Sequence, residues 1–196
     1  MKIIAATSNV GKVREIKKIF SDDKLEILSM GEIGIDIEIE ENGMTFEENA
    51  LIKARTISKM TNEIALADDS GLCVDAMGGA PGIYSARYAG EDATDDERIE
   101  KLLAELNDEE NRKAKFVSVI AVVFPDGTEL TTVGEVHGQI ADKVYGDGGF
   151  GYDPVFIADE LGKTFGVASA DEKNKISHRA RALDKMYELM KERNLL

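Results

Sequence analysis

Residues 116–136, FVSVIAVVFPDGTELTTVGEV, constrain the fold more than any other stretch of the chain. Two runs rich in β-branched and apolar residues flank the turn formers Pro125, Asp126 and Gly127, which is the pattern of a β-hairpin. The amino-terminal part reads differently. Residues 2–7 predict a buried strand, and Val13, Ile16, Ile19 and Phe20 then recur at helical spacing. A second strand fits 25–30, and IDIEIEE (35–41) alternates, with Ile35, Ile37 and Ile39 on one face of a third. TFEE (45–48) is a capping box that predicts a helix over 46–60, and IALA (64–67) predicts a short buried strand ending at Asp68-Asp69. TDDE (94–97) opens a further helix with Ile99, Leu102, Leu103 and Leu106 on its apolar face, and the last helix carries a stripe of Leu183, Met186 and Met190. Strands alternate with helices early and a long hairpin follows, so the expectation is an α/β fold with a mixed sheet rather than a purely doubly wound one. No repeat, linker or low-complexity stretch divides the 196 residues, which points to a single domain, 1–196.

Charge narrows the partners. The formal net charge is -14, which argues against polymeric nucleic acid, because affinity for it rests on neutralising phosphates. A small phosphorylated ligand is still compatible, since a few local lysines can outweigh the global field. The opening MKIIAATSN is too short an apolar run for a signal peptide, and no later run approaches the ~18 apolar residues of a membrane span. Cys73 is the only cysteine, so no intrachain disulfide or C-x-x-C pattern exists. These features predict a cytoplasmic protein with no membrane partner.

Several segments carry polar residues suited to chemistry. ATSNVGKVREI (5–15) places Thr7, Ser8, Asn9, Val10, Gly11 and Lys12 where a strand turns into a helix, so backbone N–H groups, a helix dipole and a lysine converge on a site for an anion. It lacks the glycine and hydroxyl of a Walker A loop at Ala6 and Val13, and an ordinary helix capped by Ser8 or Asn9 gives the same pattern. Asn49, Lys53 and Thr56 line one side of the helix after Thr45, a line equally at home in solvent. Glu40 and Glu41 stand just before that helix and can ligate a hard cation or simply face water. ALADDSGL (65–72) delivers Asp68 and Asp69, followed by Ser70. Neighbouring side chains on extended chain diverge, so one aspartate can hold a metal while the other activates water; a hydrogen-bonded Asp-Asp-Ser-Gly turn is the competing reading. GGFGYDP (148–154) sets Phe150 and Tyr152 around Gly151, where Phe150 can stack on a base and Asp153 can accept from a ring N–H, or where the aromatics can pack as a lid on the core. EKNKISHRARAL (172–183) groups Lys173, Lys175, His178 and Arg179 at a helix entry. Arg179 falls on the apolar stripe, so it must snorkel, pair with a carboxylate or point into a cleft.

In order and in spacing, TSNVGK (7–12), ENGMTFEENALIKA (41–54), ADDSGLCVDAMGGAPGIYSARYAG (67–90), GGFGYDP (148–154) and EKNKISHRARAL (172–183) resemble the inosine/xanthosine triphosphate pyrophosphatases, over essentially the whole chain. The resemblance implies an elongated mixed β-sheet with flanking helices and two lobes around a central cleft, a Mg²⁺ requirement and a homodimer. It implies hydrolysis of the deaminated purine triphosphates ITP, dITP and XTP to the monophosphate and pyrophosphate. It assigns catalysis to Asp69, Asp68 and Lys53, and metal binding to Asp69 with Glu40 or Glu41. Substrate binding falls to Thr7, Ser8, Asn9, Val10, Gly11, Lys12, Ser70, Phe150, Gly151, Tyr152, Asp153, Lys173, His178 and Arg179. In this reading Lys12, Lys53 and Lys173 clamp the triphosphate, and Phe150 stacks on the base. His178 and Arg179 donate to a 6-keto oxygen where adenine has an amino group, which leaves donors unpaired against adenine. Two alternatives are a Maf-like pyrophosphatase of modified pyrimidine triphosphates, which the SHR helix entry disfavours, and a nucleotide sensor without turnover, which Asp68-Asp69 beside Lys53 disfavours.

Overall fold

A computed structural model of the chain describes residues 1–20 and 25–196. Seven strands form one sheet: β1 (Lys2–Ala5), β2 (Glu26–Ser29), β3 (Ile64–Val74), β4 (Lys113–Val123), β5 (Glu129–Ile140), β6 (Phe156–Ala158) and β7 (Lys163–Thr164), in the order β2-β1-β3-β4-β5-β6-β7. β1 runs parallel to β2 and β3, with Ile3 opposite Ile27 and Ile4 opposite Ala65. β6 runs antiparallel to β5 and β7. The sheet is therefore mixed, as the early alternation and the later hairpin predict. Among the described residues five α-helices accompany it: α1 (Val10–Ile19), α2 (Phe46–Thr61), α3 (Asp95–Glu105), α4 (Ala170–Ile176) and α5 (His178–Glu192).

The chain divides into two compact units, the first comprising 1–69, 118–134 and 179–196, the second 70–117 and 135–178. In the first unit the strands bury both faces. Ile3 and Ala5, Leu66, and Ile120 and Val122 pack with Ile16 and Phe20 of the α1 segment and with Ala182, Leu183, Met186 and Met190 of α5. The intervening residues, Ile4 and Ala6, Ala65 and Ala67, Val119 and Ala121, pack with Ala50, Ala54 and Ile57 of α2. Side chains alternate along a strand with a period of two, so this parity assigns the first-unit residues of β3 and β4 to the α1/α5 face or the α2 face. The second unit has its own core, in which Leu72 and Val74 meet Ile99 and Leu102 of α3 and Leu106 just after it, together with Phe116, Val136, Phe156 and Phe165.

Local signals match their elements. Thr94 and Glu97 form a reciprocal capping box at α3. At α2 Thr45 accepts from Glu48 N, but Glu48 returns its carboxylate to Met44 N at 2.6 Å rather than to the cap residue. The hairpin turns where expected, with Phe124 N donating to Thr128 O at 2.9 Å.

Two expectations need correction. Residues 35–41 contain no strand; Ile35 and Ile39 pack partly on the α2-side core while Ile37 is 38% exposed. An extended segment laid against a core alternates its burial without a ladder partner, so period-two patterning alone does not make a strand. The strand expected to stop at Asp68-Asp69 instead continues to Val74. Charged residues are almost never fully buried without partners; here both aspartates are buried in mid-strand.

Candidate active site

Asp68 follows the parity of Leu66 and points to the α1/α5 face. Its Oδ2 accepts from Lys12 Nζ at 2.9 Å and from Arg179 Nε and Nη2 at 3.3 and 3.1 Å. Its Oδ1 accepts from the Ser118 hydroxyl at 2.5 Å, and Ser118 shares the parity of Ile120 and Val122. Arg179 also donates to the Glu15 carboxylate from α1. Full burial by itself would raise the Asp68 carboxyl, but the charges of Arg179 and Lys12 and the Ser118 hydroxyl outweigh it and hold that carboxyl well below the ordinary range. For Arg179 burial acts to lower the guanidinium pKa, and the Asp68 and Glu15 carboxylates more than reverse it. The arginine on the apolar stripe of α5 is thus resolved as a buried ion pair.

Asp69 has the opposite parity and meets α2. Its Oδ1 accepts from Lys53 Nζ at 3.0 Å, and the same ammonium donates to Glu41 Oε1 at 2.7 Å and to the Asp68 carbonyl at 3.0 Å. Asp69 Oδ2 is buried with no hydrogen-bond partner among the described residues. Burial raises the Asp69 carboxyl; Lys53 and Lys12 pull it down, Glu41 pushes it up, and the net shift is upward. For Lys53 burial acts downward and is overcome by Asp69 and Glu41, so the ammonium stays charged. Two adjacent carboxyls are thereby driven in opposite directions, the usual sign of a division of labour.

At the β1–α1 junction Asn9 accepts from Lys12 N at 3.0 Å and Thr7 Oγ1 accepts from Asn9 N at 3.2 Å. The capped-helix reading therefore holds for Asn9, while Ser8 and Val10 are exposed and Gly11 is half-buried. The cap orients the first turn and Lys12 reaches Asp68; a capped helix start is compatible with an anion site.

In the second unit the 148–154 loop folds around one carboxylate. Asp153 Oδ2 accepts from Phe150 N at 2.9 Å and from Lys173 Nζ at 2.7 Å, and that ammonium lies 4.7 Å from the centre of the half-buried Phe150 ring. Gly149 has φ +75°, and a Cβ there would stand 2.0 Å from Asp153 Oδ2, so only glycine fits. Gly151 N donates to Asp95 Oδ2 at 2.7 Å. Tyr152 is buried and its hydroxyl donates to the Ser85 carbonyl at 2.8 Å, which makes it an anchor of the loop. His178 is buried and stacks on Phe116, with ring centres 4.8 Å apart. Ser70 is half-buried on β3.

Of the two glutamates, Glu41 is joined to Asp69 through Lys53, whereas Glu40 is exposed. Among the described residues no group of three or more His, Cys, Asp or Glu is arranged to hold a metal ion. A pair of carboxylates with a buried, unpartnered oxygen still fits a hard cation that takes one or two carboxylates and completes its shell with substrate phosphates. Lys173, expected on the phosphate chain, pairs with Asp153 and lies over the Phe150 ring, since a buried ammonium needs a buried counter-charge. Sequence reading missed Glu15, Ser118 and Asp95. Only Ser118 left a trace, as the one polar residue in FVSVIAVVF. No helix of the described residues is long and apolar enough to cross a membrane.

Paired aspartates of opposite character in mid-strand, one met by Lys12 and the other by Lys53, on a mixed sheet flanked by helices, are the arrangement of a nucleotide-hydrolase class of α/β protein. More particularly, the chain belongs to the Ham1 family, whose model matches residues 3–189. It is 49% identical over 189 residues to the dITP/XTP pyrophosphatase of Bacillus subtilis, covering 95% of this chain and 96% of that protein. It is 49% identical over 198 residues to the protein of the same name from Clostridium perfringens, covering 97% of each. The structure of the Staphylococcus aureus Ham1 protein matches with a TM-score of 0.89 at 42% identity, over 98% of this chain and 100% of that one. A nucleoside-triphosphatase / dITP/XTP pyrophosphatase from Mycobacterium abscessus matches with a TM-score of 0.77 at 40% identity, over 95% and 98% of the two chains.

Removing Asp68 leaves the cations Lys12 and Arg179 facing each other without their shared counter-charge. Asp68→Ala should lower unfolding free energy by about 3–5 kcal/mol in urea denaturation, whereas a change below ~1 kcal/mol would show that Asp68 does not hold this cluster together.

Proposed function

We propose that this protein hydrolyses deaminated purine nucleoside triphosphates, ITP, dITP and XTP, to the nucleoside monophosphate and pyrophosphate, and so clears them from the nucleotide pool. The observation that carries the reading is the split between Asp68, saturated by cations and a hydroxyl, and Asp69, raised and with one buried oxygen unpartnered. The names borne by the Bacillus and Clostridium relatives support the substrate class. Neither alternative, a pyrimidine-directed enzyme or a sensor without turnover, gains a specific observation in its favour.

Asp69 is the base. Its Oδ2 accepts the proton of the water that attacks the α-phosphorus, while Lys53 holds Oδ1 and fixes the carboxylate plane. Glu41 and Asp69 would hold a magnesium ion, which when bound supplies positive charge to the phosphate oxygens. Glu40 is left to solvent. The first turn of α1, with Lys12, receives phosphate oxygens through backbone N–H groups. Asp68 positions Lys12 and Arg179 and takes no proton. In the second unit Phe150 stacks on the base, Asp153 accepts a ring N–H, and Lys173 holds the Asp153 carboxylate in place. His178, its ring held against Phe116, donates to the 6-keto oxygen. Arg179 differs from the expected base donor, since its guanidinium is held by Asp68 and Glu15. The proposal extends to a homodimer and a cytoplasmic location, as the resemblance implies.

With ITP and Mg²⁺ the products should be IMP and pyrophosphate in equal amounts by anion-exchange chromatography; IDP and orthophosphate would refute the assignment. Asp69→Asn should keep the fold and lower kcat by ~10²–10⁴, and near wild-type turnover would remove Asp69 as the base. His178→Ala should narrow the ITP-over-ATP ratio of kcat/KM by roughly tenfold or more, while Arg179→Ala should depress both substrates alike. The reverse pattern would return the base-reading role to Arg179.

A further inference from the structure

Asn49 lies on α2 one turn before Lys53 and has no part in the steps above. It is fully buried. Its Oδ1 accepts from Gly43 N at 2.8 Å, a bond that fixes which end of the amide is oxygen. Its Nδ2 is buried with no hydrogen-bond partner among the described residues, a costly state that native proteins seldom keep without a use. Gly43 stands two residues after Glu41. A Cβ on Gly43 would fall 2.7 Å from Asn49 Oδ1, 2.7 Å from Glu48 Cβ and 3.0 Å from Asn49 N, so the segment approaches the helix as closely as a bare backbone allows. The neighbouring Met44 N is taken by Glu48. The chain from Glu41 to Met44 is thus fastened to the first turns of α2 at consecutive amides, and Glu41 then reaches Lys53 one turn further on.

We propose that Asn49 is a positioning residue of the cation site: through Gly43 N–H it sets the Glu41 carboxylate beside Lys53 and Asp69, in register to share a divalent cation. The inference rests on the reading in which Glu41 and Asp69 hold that cation. It explains why a side-chain acceptor stands here and why residue 43 has no side chain. An outer partner that orients a ligand characteristically alters metal affinity by ~10–100-fold when removed, whereas a residue that only packs the helix alters stability.

The test is Mn²⁺ binding to the substrate-free protein, read from the loss of the free-ion electron paramagnetic resonance signal, with thermal melting recorded in parallel. Asn49→Ala and Gly43→Ala should each weaken Mn²⁺ binding by ~10–100-fold. Because they cut the same link, the double variant should be no weaker than the poorer single one. Gly43→Ala changes a half-buried segment outside the helix and keeps the test open should Asn49→Ala unfold. Single variants that bind Mn²⁺ like the wild type, with only a lowered melting temperature, would overturn this inference alone. Wild-type protein that binds no Mn²⁺ would overturn the metal reading and this inference with it.

Discussion

The period of two along β3 is the constraint from which the site follows. Leu66 and Ala67 already face different helices, so the next two residues must do the same. Asp68 is delivered to Lys12 and Arg179, and Asp69 to Lys53. A one-residue slip would exchange their environments and bury each carboxylate against the wrong partners. Adjacency in sequence and separation in space therefore let one Asp-Asp pair serve as anchor and as base.

The anchor is what makes the base affordable. Buried ion pairs contribute little net stability, since the desolvation of each ion offsets most of the attraction. What they do is fix geometry. Asp68 uses both carboxylate oxygens, on two cations and a hydroxyl, and so holds α1, α5 and β4 of the first unit to one point of β3. Against that rigid background Asp69 keeps one oxygen unengaged among the described residues. The 148–154 loop follows the same logic, with Asp153 and Lys173 neutralising each other beneath Phe150.

Much of this was legible in the sequence, for identifiable reasons. The hairpin, the capped α2 and α3 and the β1–α1 junction are set by near neighbours, and near neighbours are what a sequence displays. The motif residues were legible through resemblance, and Arg179 through its misplaced charge, which demanded a carboxylate without saying which. The continuation of β3 was not legible, because its burial depends on cores that distant segments supply. Nor were Glu15 and Asp95, whose partners lie far along the chain. Residues 35–41 show the converse: alternation was real, but the surface it answered to was a helix-side core rather than a sheet.

The family relationship and the geometry converge on one chemical claim, that a carboxylate on the α2 face of β3 directs water to the phosphorus next to the sugar. Isotope position tests it most directly. When ITP is turned over in ¹⁸O-labelled water, mass spectrometry should find a single ¹⁸O in the IMP phosphate and none in the pyrophosphate. Label in the pyrophosphate would place the attack at the β-phosphorus and contradict the account.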